Sequence, residues 1–171
     1  MIARPSRRMH MLIRMGIYVA LAFGCQRESP EARLERGLGD FCEAMARAVA
    51  DPAVVERPPA ELARMLVREL EPSRRALGRL SADYAVLAPE RALRLRTKVS
   101  KAHVQALRLV LLRAGEVSKR LAQQPGRSAY RAALGPLVTS FREGGAVWAF
   151  DLFSHETTEE LEELVGQKED R

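Results

Sequence analysis

The chain has 171 residues, a formal net charge of +6 and two cysteines. That length suits one domain around a single core rather than two. No Gly-x-Ser-x-Gly, His-Glu-x-x-His, P-loop or glycine-rich dinucleotide motif is present, which removes the enzyme classes those motifs build. A basic excess points first to nucleic acid, but its distribution argues otherwise. Arg4, Arg7, Arg8 and Arg14 stand together in the first fourteen residues with no acid among them.

Those arginines precede the apolar run Met15 to Gly24. A basic stretch followed by a short apolar one has the order of an export signal. Ten residues at ~1.5 Å each reach about half of a ~30 Å hydrocarbon core, so a permanent transmembrane helix is not expected. The run closes on Leu21-Ala22-Phe23-Gly24-Cys25. This stretch resembles the lipobox of bacterial lipoproteins, in which a small residue precedes a cysteine whose thiol takes a diacylglycerol and becomes residue one after cleavage. The residue types suit that chemistry: a thiol is a strong nucleophile, and Gly24 leaves room for a peptidase at the scissile bond. The resemblance covers about the first 26 residues and implies nothing about the fold behind it. It implies a lipid anchor on Cys25 in the cell envelope, with Gln26 favouring the outer membrane. The alternative address is secreted or periplasmic.

Removing residues 1–24 leaves 24 basic and 22 acidic residues, a near-neutral mature chain at +2. The positive charge therefore belongs to targeting, and no nucleic-acid partner is expected. With Cys25 lipidated, Cys42 has no partner within the chain. Cys42 falls on the stripe Leu34, Leu38, Phe41, Cys42, Met45, Val49 at helical spacing, which makes it a small apolar core residue. The organisation read from the sequence is a signal peptide at 1–24, a lipidated tether at 25–29, a bundle domain at 30–165 and a frayed tail at 166–171.

Ser29 and Pro30 cap and open a first helix that ends near Ala50, before Asp51-Pro52. Pro58-Pro59 opens a second, whose apolar positions Leu62, Leu66, Leu70, Leu77, Leu80, Tyr84 and Leu87 keep one phase across a kink at Pro72. A third is expected from about Pro89 to Gln123, with an apolar face through Leu95, Val99, Ala102, Ala106, Leu109, Val110, Val117 and Leu121. Ser128 caps a fourth with Tyr130, Ala133, Leu134, Leu137, Val138 and Phe141 on one side, and Gly144-Gly145 ends it. After Ala146 to Phe153 comes an acidic helix, where Thr157 and Glu160 fit a capping box. No segment shows period-two alternation. The expected fold is all-α, an antiparallel helical bundle of about four main helices plus a short C-terminal helix.

Three groups of residues bear chemistry. Arg94, Lys98, Lys101 and Arg108 form a basic face on the third helix, suited to acidic headgroups or an acidic partner, although a solvated face is the ordinary use of such a pattern. Asp151, His155 and Glu159 are spaced by four, so a continuous helix over 145–165 would align them as metal ligands or as a salt-bridged ladder. His103 lies alone near the apolar face of the third helix and reads as a satisfied core histidine. Trp148, Phe150 and Phe153 form an aromatic cluster fit to pack across the bundle end. No cofactor is implied. The function expected from the sequence is that of a membrane-anchored envelope lipoprotein, non-enzymatic, binding another envelope protein or serving a structural role. A small-ligand or metal-binding periplasmic bundle is the alternative, and an envelope enzyme the third.

Overall fold

The computed structural model describes residues 28–122 and 128–153, the side chains of 128–133 excepted. The described residues are all-α, with helices α1 (Pro30–Ala48), α2 (Pro59–Glu69), α3 (Glu71–Gly78), α4 (Ser81–Ala85), α5 (Pro89–Ala102), α6 (Val104–Ala122) and α7 (Ser128–Glu143). Two 3-10 segments, Pro52–Glu56 and Val147–Phe153, join them. The expected signal peptide at 1–24, Cys25, the helix expected after Phe153 and the tail expected at 166–171 lie outside the described residues. Among the described residues no helix is long and apolar enough to cross a membrane.

The boundaries follow local chemistry. Ser29 accepts from the Ala32 amide at 3.1 Å and Pro30 occupies the first turn, where its missing N–H costs nothing. Asp51 repeats the device for the first 3-10 segment, accepting from the Ala53 amide at 2.9 Å. At the end of α7, Gly145 has φ 67°. The Ala146 amide reaches the Phe141 carbonyl at 2.8 Å and the Gly145 amide the Arg142 carbonyl at 3.0 Å. That pair of bonds is a Schellman closure, which needs a residue at positive φ and so favours glycine.

α1 is the central strut. Leu34, Leu38, Phe41, Cys42, Met45 and Val49 are all buried, as their spacing requires, and α1 touches α2, α3, α4, α5 and α6. Phe41 collects three aromatic neighbours, with ring centroids at 5.5 Å to Phe141, 5.8 Å to Phe150 and 6.2 Å to Phe153. Pairs at such distances add about 0.5–1.5 kcal/mol beyond the area they bury. α2 and α7 pack along one another on the other side of this cluster.

The chain breaks more often than its periodicity suggests. The long second helix is three: Pro72 has no N–H to continue the ladder, so α3 restarts after Leu70, and α3 ends at Gly78, whose carbonyl accepts from the Ser81 hydroxyl at 2.9 Å. The third helix is two, because His103 leaves helical geometry at φ −115° and ψ 30°. Its Nδ1 lies 2.9 Å from Glu43 Oε1 and its ring fills the space over Gly39. Of the expected apolar face, Leu95, Val99, Val110, Val117 and Leu121 are buried while Ala102 is exposed, and Leu107 is buried besides. The fourth helix keeps Pro136 in its interior, on the exposed side.

Polar side-chain contacts set the register of α5 on α1. Arg91 pairs with Glu31 at 3.3 Å, Lys98 with Glu35 at 2.7 Å and His103 with Glu43 at 2.9 Å. The numbers rise together, so α1 and α5 run in the same direction, the chain returning through α2, α3 and α4 between them. Arg33 holds α4 to α1 through Asp83, Nη2 to Oδ2 at 2.8 Å. Each exposed pair contributes only about 0.2–1 kcal/mol, so the ladder orients helices that the core holds.

Two glycines separate close approach from mere propensity. A Cβ on Gly78 would collide with the Gly144 carbonyl oxygen, whereas one on Gly115 meets nothing. In urea unfolding, Gly115→Ala is expected to stabilise the domain by about 0.5–1 kcal/mol. Gly78→Ala should destabilise it by about 1–3 kcal/mol despite the same gain in helix propensity, because backbone must move. Equal effects of the two substitutions would refute the close packing of α3 on the end of α7.

Candidate functional site

Of the residue groups expected to bear chemistry, the basic face and the aromatic trio are divided in the fold. Arg94, Lys98 and Lys101 are on exposed positions of α5, while Arg108 lies on α6, beyond the break at His103. Lys98 is already paired with Glu35, and Arg94 borders an open groove it shares with Glu31, Glu35, Arg91, Leu95 and Lys98. The basic stretch of α5 therefore faces the acids of α1, and part of its charge is answered within the molecule.

Asp151 stands in the 3-10 segment Val147–Phe153 that follows α7. Its carboxylate accepts from the Tyr84 hydroxyl at 2.9 Å. His155 and Glu159 lie outside the described residues. Among the described residues no group of three or more His, Cys, Asp or Glu gathers in metal-binding distance. The aromatic trio divides as well: Phe150 and Phe153 join Phe41, but Trp148 stacks on Tyr84 with ring centroids 4.3 Å apart and an interplanar angle of 18°.

Several titratable groups take structural roles. Burial pushes the Cys42 thiol up to about 12, assisted by the nearby Glu43 charge, so it is neither nucleophile nor metal ligand at neutral pH. Burial, then the hydrogen bond to Asp151 and its charge, raise the Tyr84 phenol to about 12. Hydrogen bonds from Arg74 and then Arg75, each with contacts of 2.6 Å, hold the Glu71 carboxyl down at about 2. Glu71 is thus charged throughout the physiological range, tying down the first turn of α3. His103 donates from Nδ1 to Glu43, since an ionised carboxylate only accepts.

The feature that no short motif announced is a cavity of about 280 Å³. Its walls come from Met45 and Val49 of α1, Leu62 and Leu66 of α2, Val110 and Val117 of α6, Leu137 of α7, and Phe150 and Phe153. Only Arg113 and Ser118 are polar among the lining side chains. Ala114 and Ser118 are exposed, so the cavity meets solvent along this side of α6. The Arg113 side chain is only 15% exposed; Nη1 donates to Glu116 at 2.7 Å, while Nε is buried with no acceptor. A buried N–H without a partner is costly, of order 1–3 kcal/mol. In the sequence the sign of this site is Arg113 itself, three residues after Val110 and four before Val117, a cation set on the apolar stripe.

A comparison with known protein families, curated proteins and solved structures finds no match to this chain.

Both raised groups give measurable outcomes. Tyr84 stabilises the fold fully below the ordinary phenol value near 10, and that contribution is lost as pH rises through about 12. In an absorbance titration at the tyrosinate band, Tyr84→Phe should remove a transition near pH 12 and leave the others in place; loss of a transition near 10 instead would contradict the burial. In a chain carrying Cys25→Ser, Cys42 should resist a disulfide reagent at pH 8 while folded and react fully in denaturant. Rapid labelling of the folded chain would show the thiol to be accessible.

Proposed function

We propose that this protein is a lipid-anchored component of a bacterial cell envelope and that its helical domain works by binding rather than by catalysis. The observation behind the anchor is the order of the first 25 residues: arginines without acids, ten apolar residues, then Leu21-Ala22-Phe23-Gly24-Cys25. Two or three acyl chains on Cys25, each contributing on the order of 0.8 kcal/mol per buried methylene, would hold the protein on its membrane far more firmly than one chain. The interval from Cys25 to the first helical residue, Pro30, is short. Five residues span at most ~18 Å at ~3.5 Å each, so the domain works close to the bilayer.

The binding role is supported by how the described chemical groups are used. Lys98, Arg91 and His103 bind α1 acids, Tyr84 binds Asp151, and Cys42 is buried as a thiol. An envelope protein partner remains the first reading for the exposed faces. A small-ligand role is favoured by one observation, the apolar cavity between α1, α2, α6 and α7.

Incorporation of labelled palmitate tests the anchor. In a bacterium with working lipoprotein processing, the intact protein should take up label and fractionate with membranes, and Cys25→Ser should do neither. An unlabelled wild type would replace the anchor with plain secretion.

A further inference from the structure

The cavity has a size, a polarity and one cation on its wall, and together they define a ligand. Its volume of about 280 Å³ is about twice the ~150 Å³ of an apolar cavity that holds benzene, so by the same ratio it takes about a dozen carbon atoms. Its lining is aliphatic and aromatic apart from Arg113 and Ser118, so a polar ligand body would lose its hydration there without replacement. Arg113 is the exception that specifies an end group: it is the one cation on the wall, it stands beside the exposed Ala114 and Ser118, and its side chain keeps 15% exposure. An anionic oxygen brought to its guanidinium would be held by a charge-assisted bond.

We propose that this cavity binds a single acyl chain of about a dozen carbons, its anionic head received by Arg113 at the solvent side of α6. The inference goes beyond the anchor reading and does not depend on it, since it concerns a free ligand and residues far along the chain from Cys25. Glu116 competes with that head for the guanidinium, being 2.7 Å from Nη1. The site is thus a neutral pair that opens to admit an anion, which favours one carboxylate or phosphate over a polyanion. The same chemistry is offered by a free fatty acid and by a single-chain lysolipid.

The test uses the full chain carrying Cys25→Ser, purified without detergent, and straight-chain carboxylates below their micellar concentrations, followed by calorimetry and thermal shift. Affinity should rise about fourfold per added methylene from eight carbons to about twelve and then level off, as the cavity fills. Arg113→Met, which keeps the apolar stem, should weaken dodecanoate on the order of tenfold and leave dodecanol within about twofold. Glu116→Gln should act in the opposite direction and tighten dodecanoate. Val138→Trp places a large ring on the cavity wall and should abolish binding, while its own melting transition reports whether the variant is folded. Dodecanoyl lysophosphatidylglycerol binding as tightly as dodecanoate would support the site as one for lysolipids, and binding of dodecanoate alone as one for free fatty acids. The proposal is overturned by affinity that ignores chain length, or by dodecanoate binding that survives Val138→Trp in a folded protein. It is also overturned if no carboxylate binds and the protein self-associates through this face, or if binding appears only after residues 154–171 are removed.

Discussion

Phe41 sits where α1 meets the last described elements, and the arrangement of the helices follows from filling the space around it. The ring belongs to the first helix, yet its aromatic neighbours, Phe141, Phe150 and Phe153, come from a hundred or more residues later. Bringing them together obliges α7 to end abruptly and the chain to turn back under α1. The Schellman closure at Gly145 performs that turn, and Ala146, Ala149 and Leu152 follow it into the core. α1 is then covered on several sides, which explains why its mid-helix glycines are useful rather than merely tolerated. Gly39 admits the His103 ring: a Cβ there would lie 2.6 Å from its Nε2.

Breaks in the helices are the means by which a short chain wraps that strut. α2, α3 and α4 bend twice so that Leu62, Leu66, Leu70 and Leu77 all reach the core from a path that curves around α1. The break at His103 performs a similar service between α5 and α6. Val99 before it and Leu107, Val110, Val117 and Leu121 after it are all buried. The Glu31, Glu35 and Glu43 ladder then gives α5 a register that the apolar contacts by themselves would specify less sharply.

The same wrapping leaves the apolar cavity where α1, α2, α6 and α7 diverge from the Phe41 cluster. A space of about 280 Å³, open to solvent along α6, is bounded there by side chains on several elements. Arg113 makes it chemically directional, with one donor spent on Glu116 and another left buried without an acceptor. Next to it, the charged groups that the sequence makes conspicuous are largely engaged in holding helices together.

The sequence by itself determined the all-α class, the capped start of α1, its stop at Asp51-Pro52, the turn at Gly144-Gly145, and the burial of Cys42 among Leu38, Phe41 and Met45. These are local matters: a cap, a proline, a glycine at positive φ and a 3.6-residue period each act within a few residues. The basic pattern on α5 was equally visible, but its partners were not, because Glu35 lies 63 residues from Lys98 along the chain and nothing local couples them. The divisions of the second and third helices, the parallel run of α1 and α5, and the separation of Trp148 from Phe150 were decided by tertiary structure. So was the cavity, since its lining residues each read as ordinary core on their own helix. A void exists only between elements, and periodicity reports which face is buried without saying how well the opposite face fills it.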